Sequence, residues 1–462
     1  MGDYFTYARA LGYLLASALF IVGLQMLSKP KSAKAGNRWA ALGMLIAIVV
    51  TVLGQQLNFA VILAGIVVGG LIGVVAARRV QMTSMPQLVG IFNGLGGGAS
   101  ALVAVAEFYK GGAGIEIITL VTILLSTFIG ALTFSGSFVA FGKLQGLISG
   151  KPIILPLQST IDVVFLLVVV GLGIYVGVSG SAVAFLGLIA VSLLLGVLLV
   201  GAIGGADMPV AISLLNSYSG LAAAATGFVL LNNALIISGA LVGASGLILT
   251  SIMCKAMNRS IWNVMFAGVG GGADASSGQA GVAEGKTVRE VSVEDAAVVM
   301  ANAQSVVIAP GYGLAVAQAQ HEVSELAKQL EARGVDVKYA IHPVAGRMPG
   351  HMNVLLAEAN VPYDKLHDMD DINPQFDNTD VVLVIGANDV VNPAARHDQS
   401  SPIYGMPILD VDKARNVIVN KRSMNPGFAG IENELFYAEN TFMLFGDAKD
   451  TMAKLNREIK DV

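Results

Sequence analysis

Residues 305 to 320 run Ser305-Val-Val-Ile-Ala-Pro310, then Gly311-Tyr312-Gly313-Leu314-Ala315-Val316, then a helical stretch through Ala317, Gln318, Ala319 and Gln320. A β-rich run, a glycine turn and a helix start, in that order, form a frame for a dinucleotide. Glycines let the backbone approach a pyrophosphate, which then lies at the positive end of the helix. The third glycine of the usual G-x-G-x-x-G pattern is Val316 here, and a tight strand-to-helix turn without a ligand reads the same way. An NAD site of this kind carries an acid at the end of the second strand to hold the ribose 2′-hydroxyl. Ala340-Ile341-His342-Pro343 contains none, whereas Lys421-Arg422-Ser423 follows another β-rich run. Two cations and a hydroxyl suit a 2′-phosphate, which favours NADP, and a solvated basic turn is the alternative. His342 and His351 have no neighbouring ligand cluster, so no metal is expected.

A second set of polar residues lies in apolar sequence. Asp207 stands in Gly204-Gly-Ala-Asp-Met-Pro209, and Asn216 follows about two turns into the next apolar run, with Asn93 similarly deep in another. An ionisable group within a membrane is expensive and by default functional, so Asp207 reads as a proton port. It also reads as a carboxylate capping the helix that Pro209 opens. The two asparagines can bond neighbouring helices or orient water, and neither can carry a proton.

The elements that must position these groups divide between two solvents. The 462 residues are 55% hydrophobic and 13% charged, with mean hydropathy +0.70, too apolar for an ordinary soluble chain. Residues 1 to 260 hold 12 Lys/Arg and 5 Asp/Glu, and the remainder holds 16 and 27. Nothing in this charge pattern points to nucleic acid. Nine apolar runs have about the length a bilayer requires. They are Tyr7–Leu27, Trp39–Gly54, Leu57–Ala77, Met85–Ala106, Ile115–Phe141, Ile161–Val178, Ala182–Ile203, Met208–Leu231 and Ala234–Cys254. Glycines at 65, 69 and 73, and at 94, 96, 97 and 98, predict close helix contacts. Alternate connections hold ten Lys/Arg, including Lys143 and Lys151, against Arg9 and Lys110 on the other side. The positive-inside rule therefore places the N-terminus outside and the C-terminal domain in the cytoplasm, or on the equivalent matrix side of an organelle.

Gly268 to Lys286 is small, polar and glycine-rich and predicts a flexible tether, assigned to 263–289, between a membrane domain, 1–262, and a soluble domain, 290–462. The soluble domain alternates strand and helix signals. Ser305–Ala309 is followed by one helix to Arg333, then Val335–Ile341, Val381–Ile385, Val417–Lys421 and Thr441–Phe445. The fold class expected is a nine-helix membrane domain followed by an α/β doubly wound parallel sheet of Rossmann-like type.

The glycine turn at 311–316, His342-Pro-Val-Ala-Gly-Arg-Met-Pro-Gly350, Val384-Ile-Gly-Ala-Asn-Asp389 with Asn392-Pro393, Lys421-Arg-Ser423, Gly446-Asp-Ala-Lys449 and Gly204-Gly-Ala-Asp-Met-Pro209 occur together and in order. In this the chain resembles, nearly end to end, the β subunit of proton-translocating NAD(P) transhydrogenases. The resemblance implies that NADP(H) is bound here and NAD(H) on a partner α subunit. Hydride would pass directly between them while one proton moves inward, in a dimer of αβ units surrounded by lipid in the cell's inner membrane. It further implies that Gly311, Tyr312 and Gly313 line one side of the nucleotide, and that Val344, Ala345, Gly346, Arg347, Met348 and Pro349 meet the diphosphate. Gly386, Ala387, Asn388, Asp389 and Val390 would approach the nicotinamide half, and Gly405 and Met406 would line the pocket. Lys421, Arg422, Ser423, Met424, Asn425, Pro426, Gly427 and Phe428 would clamp the 2′-phosphate and fold over as a lid, with Asp447 and Ala448 at the adenosine end. Asn93, Asp207 and Asn216 would belong to the proton path, with no side chain acting as acid, base or nucleophile toward the hydride. Some relatives have a histidine at the position of Asn93, so the titrating group would lie on a partner helix, or water held by the asparagines would suffice. A channel gated by a nucleotide-sensing domain is the rival reading, and the sequence has neither a Thr-Val-Gly-Tyr-Gly filter nor a charged pore ring.

Overall fold

The computed structural model describes residues 2–27, 30–53, 59–81, 84–150, 152–257, 260–261, 287–347, 350–401, 403–427 and 429–462. The expected tether falls almost wholly outside the described residues, as do Met348, Pro349 and Phe428. The chain forms two compact units, one of N-terminal helices and one built on a sheet.

The helical unit contains α1 (Gly2–Leu27), α2 (Pro30–Leu53), α3 (Phe59–Arg79), α4 (Met85–Gly111), α5 (Ile117–Gln145), α6 (Gln158–Ser179), α7 (Ala182–Gly201), α8 (Met208–Val229) and α9 (Asn233–Ala256). Among the described residues these nine are long and apolar enough to cross a membrane, as in a multi-pass membrane protein. Helices answer the solvent: inside a bilayer each backbone N–H and C=O must be paired within its own segment. α8 is the most enclosed, packed by α4 and α5, and every residue from Met208 to Leu215 is buried. The glycines of α4 allow this density, since a Cβ at Gly97 would stand 3.0 Å from the Gly130 carbonyl of α5. The glycines of α3 behave differently: among the described residues Gly65, Gly69 and Gly73 meet nothing within 4 Å, and no residue of α3 is buried.

Several helices outrun the apolar runs that mark them. α2 begins well before Trp39, and α5 continues past Phe141 to Gln145. Lys143, counted above among connecting-loop charges, is therefore a helical residue, and it is buried at 5% exposure.

The second unit is a six-stranded, all-parallel sheet in the order β3-β2-β1-β4-β5-β6. Its strands are β1 (Ser305–Pro310), β2 (Asp336–Ile341), β3 (Leu366–Asp368), β4 (Val381–Ile385), β5 (Asn416–Lys421) and β6 (Thr441–Phe445). β1 and β4 pair in the middle with Val307 opposite Val382. Both faces are covered, so the central strands read as continuous apolar runs. Val307, Val382, Val384, Val417 and Val419 join Phe376 and Leu435 in one core. The helices that matter below are α10 (Val293–Ala301), α11 (Tyr312–Ala317), α12 (Gln320–Ala332), α13 (His351–Glu358) and the last helix, α14 (Ala448–Asp461). α14 packs on α10 and α12, where Asn456 Nδ2 donates to the Glu322 carbonyl at 2.9 Å.

Two local expectations are corrected. β3 has three residues, two of them charged or titratable, and carries no apolar signal. The helix expected from the glycine turn to Arg333 is two helices. Gln318 takes a left-handed conformation (φ 54) and its Nε2 donates to the Ala315 carbonyl at 2.8 Å, which ends α11 before α12 begins.

Candidate nucleotide site and membrane polar node

In a parallel sheet all strand ends on one edge are carboxyl ends, and the strand order reverses between β1 and β4. The crevice at that reversal is where open α/β sheets bind ligands. The expected site residues fall on the connections leaving this edge: 311–313 after β1, 342–347 after β2, 386–390 after β4, 421–427 after β5 and 446–448 after β6.

At the reversal point two connections pack backbone against backbone. Gly311 N–H donates to the Ile385 carbonyl (2.9 Å) and Gly313 N–H to the Gly386 carbonyl (2.8 Å). A Cβ at Gly313 would stand 2.7 Å from Gly386 Cα, and Gly386 itself has φ +68, so neither position has room for a side chain. These glycines are thus required first by each other. Their two N–H groups are already bonded within the protein.

The connection after β2 is pinned by two buried histidines. His342 Nδ1 accepts from Val344 N–H (3.3 Å) while Nε2 meets the Pro407 carbonyl (2.8 Å). A backbone N–H can only donate, so the proton sits on Nε2 and the imidazole is neutral. Burial pushes its pKa down to about 4. His351, first residue of α13, accepts at Nδ1 from Arg347 N–H (2.9 Å), and burial followed by the Arg347 charge lowers its pKa. Arg347 lies over the Tyr312 ring at 4.6 Å, joining this connection to the glycine turn. Burial raises the Tyr312 pKa, and Arg347 opposes the shift. Val344 and Gly346 are partly exposed and Ala345 is buried.

Gly427 and Ala429 lie against the 386–390 turn. Ala429 N–H donates to Asp389 Oδ2 at 2.9 Å, and a Cβ at Gly427 would stand 2.6 Å from Asp389 Oδ1. Asn433 Nδ2 donates to both the backbone and the side-chain oxygen of Asn388, each at 3.0 Å. The Lys421 ammonium donates to the Ser423 carbonyl (3.1 Å) and to the Asn425 carbonyl, and lies 5.4 Å from the centre of the Phe436 ring. Its pKa is lowered by burial, with Asp389 opposing. Arg422, Asn425 and Pro426 are exposed, as is Ser423, whose hydroxyl accepts from Asn425 N–H at 3.4 Å. Met424 packs on the main core. Met406 packs on a small cluster of Ala395, Ile403 and Ile408, which Ala429 also joins. Gly405 N–H donates to the Ala395 carbonyl (2.8 Å), Val390 accepts from Leu409 N–H (2.9 Å), and Ala387 is buried. Asp447 caps α14, accepting from Lys449 N–H at 3.0 Å, with Ala448 buried behind it.

In the helical unit, Asn93 of α4 donates through Nδ2 to Ser137 Oγ of α5 (3.0 Å), and Ser219 Oγ of α8 donates to the Asn93 carbonyl (3.2 Å). Asn216 is partly buried on α8, three residues before Ser219, and no hydrogen bond joins it to Asn93 among the described residues. Asp207 ends a short 3-10 turn and occupies the N-cap position of α8, yet its carboxylate makes no capping hydrogen bond there.

Sequence reasoning passed over the histidine pins, Asn433, Ser137 and Ser219, and two buried ionisable groups in the spans. These are Lys143 and Asp162, the latter bonded by Gln158 Nε2 at 2.9 Å. The rule that intramembrane charges are functional by default was the signal available for this last pair.

The chain matches the family model described as NAD(P) transhydrogenase beta subunit over residues 9–458. It is 54% identical over 447 residues to a protein of Rhodospirillum rubrum named NAD(P) transhydrogenase subunit beta, covering 95% of this chain and 96% of that one. The same-named subunit of a defined strain of that species matches with the same identity and coverage.

Proposed function

The chain belongs to the NAD(P) transhydrogenase beta subunit family, and from that premise we propose that its sheet unit holds NADP(H) while NAD(H) is held by the α subunit that a β subunit implies. Hydride then passes directly between the two nicotinamides, and a proton crosses the membrane through the helical unit. The observation that carries this reading is the convergence of five connections at the carboxyl edge, around the β1/β4 reversal.

The residues there fit a phosphorylated dinucleotide. Among the described residues, His351 Nε2 and Asn388 Nδ2 are buried donors without a protein partner, and such groups are costly unless a ligand takes them. Arg347, held over Tyr312 and fixed through its own N–H, supplies the cation for the diphosphate. That assignment suits a glycine turn whose N–H groups are already bonded. Arg422 and Ser423 present an exposed cation and hydroxyl for the 2′-phosphate, and Lys421 joins them when it releases the lid carbonyls. The end of β2 offers a neutral imidazole where an NAD site would place an acid. Bound NADP supplies the hydride-accepting ring, and this chain's residues bind it, orient it and close over it. The segment from Lys421 to Phe428 acts as the lid, and Ala429 just beyond it is held on Asp389.

In the helical unit, Asp207 is the port, and Asn93 and Asn216 orient water farther along α4 and α8. Asn93 cannot titrate, so the carrier proton resides on water or on a partner helix. With the buried Lys143 set aside, the bias of basic residues is still nine to two, and it supports an N-terminus outside and a sheet unit inside, in the cell's inner membrane, with αβ units paired as a dimer. The decisive experiment mixes the membrane-inserted chain with a candidate α subunit and follows hydride exchange between NADH and an NADP analogue. Exchange that requires both components supports the reading. Equal exchange when an NAD analogue replaces the NADP analogue would show that the sheet unit does not select NADP(H) and would overturn the reading.

A further inference from the structure

Lys143 lies in the last turn of α5 with its side chain buried. Its ammonium donates to the carbonyls of Gly201 (2.5 Å) and Ile203 (2.7 Å), at the C-terminal end of α7. The Gly201 carbonyl is the last of α7 and carries the negative end of its dipole, the Ile203 carbonyl follows just beyond, and α7 has no basic residue in its own last turn. The compensating cation therefore comes from another helix. Two backbone bonds reinforce the grip: Ile153 N–H donates to the same Gly201 carbonyl (3.0 Å), and Gly205 N–H donates to the Gly150 carbonyl (2.8 Å). The gripped stretch leads straight into the port, since Asp207 N–H closes the short turn on the Gly204 carbonyl at 3.0 Å. Between Ile203 and Asp207 lie only Gly204, Gly205 and Ala206, which offer no polar side chain to fix the turn.

We propose that Lys143 is a positioning residue of the proton path, setting where the Asp207 turn sits by holding the last carbonyl of α7 and the Ile203 carbonyl just after it. This rests on the reading of Asp207 as the port. A neutral side chain of similar length keeps a hydrogen bond but not the charge that the carbonyl pair attracts. An arginine keeps both.

The test uses the full chain assembled with its α partner in sealed vesicles, measuring proton uptake and hydride transfer on the same preparation. The variants are Lys143→Gln, Lys143→Arg and Asp207→Asn. Lys143→Gln lowers the protons moved per hydride by about fivefold or more, the range of a real coupling term. Lys143→Arg restores most of that ratio. A merely structural lysine would lower both activities in proportion and leave the ratio at its parental value, which overturns the proposal. Failure of both Lys143 variants to assemble marks a folding element and overturns it as well. Asp207→Asn separates the two readings: a parental ratio there sinks the port itself, whereas a lowered ratio there with a parental ratio in Lys143→Gln sinks only the positioning role.

Discussion

Acidification should weaken the sheet unit through His342 before most carboxylates titrate. The imidazole is neutral in the folded state because Nδ1 accepts the Val344 N–H and the ring is buried, which lowers its pKa from 6.5 to about 4. Unfolded, the group titrates at its ordinary value. Because the folded pKa lies below the unfolded one, the unfolded chain binds more protons as pH falls from 6.5 to about 4. Stability is then fully present above that window and is lost on descending through it. With 1.36 kcal/mol per pKa unit, the whole shift is worth about 3 kcal/mol, of which about 2 kcal/mol disappears between pH 7 and pH 5. Urea unfolding of residues 287–462, which carry their own sheet and core, measures this at a series of pH values. His351 adds a contribution of the same sign, so the informative quantity is the difference between the parent and His342→Gln. The Gln variant, which cannot titrate, should lose about 2 kcal/mol less between pH 7 and pH 5. NADP(H) affinity should follow, because the same ring anchors the connection that leads to Arg347. Equal pH slopes in parent and variant would refute the reasoning.

Replacing Lys421 and Arg422 together by Ala should erase the preference of residues 287–462 for NADP(H) over NAD(H). Each charge-assisted phosphate bond is worth about 1.5–3 kcal/mol, so calorimetric titration should record at least about a tenfold loss for NADP(H) and little change for NAD(H). Equal affinity for both nucleotides in the parent would remove the basis for the 2′-phosphate assignment. Asn216→Leu should suppress proton pumping and shift NADP(H) affinity together, since coupling between two sites is reciprocal. Parental pumping and binding in that variant would make Asn216 a packing residue. Reporter fusions at the two ends should report opposite faces of the membrane, and two signals on one face would break the nine-span count.

Architecture was legible where physics is local. A bilayer demands about 20 apolar residues per crossing whatever those helices touch, so all nine spans were countable from the sequence. The central strands announce themselves because burial on both faces requires continuous apolar runs such as Val381–Ile385. β3 escaped because an edge strand of three polar-rich residues is fixed by its pairing to β2, not by its composition.

The glycine turn at 311–316 and the cation pair at 421–422 were nameable for the same reason, since turn glycines and cation pairs follow local rules, whereas the other connections were named only through the family resemblance. Their partners were not. That Gly311 and Gly313 bond the Ile385 and Gly386 carbonyls, that His342 Nε2 meets the Pro407 carbonyl, and that Asn433 holds Asn388 are facts about residues far apart in the chain. Lys143 is the sharpest case, reading from sequence as one more positive charge near a membrane surface. Only the meeting of α5 with the end of α7 turns it into a buried cation among carbonyls. Composition settles which solvent a segment must face; which distant group a buried charge or donor must satisfy is decided by packing, because that requirement exists only once the chain has closed around it.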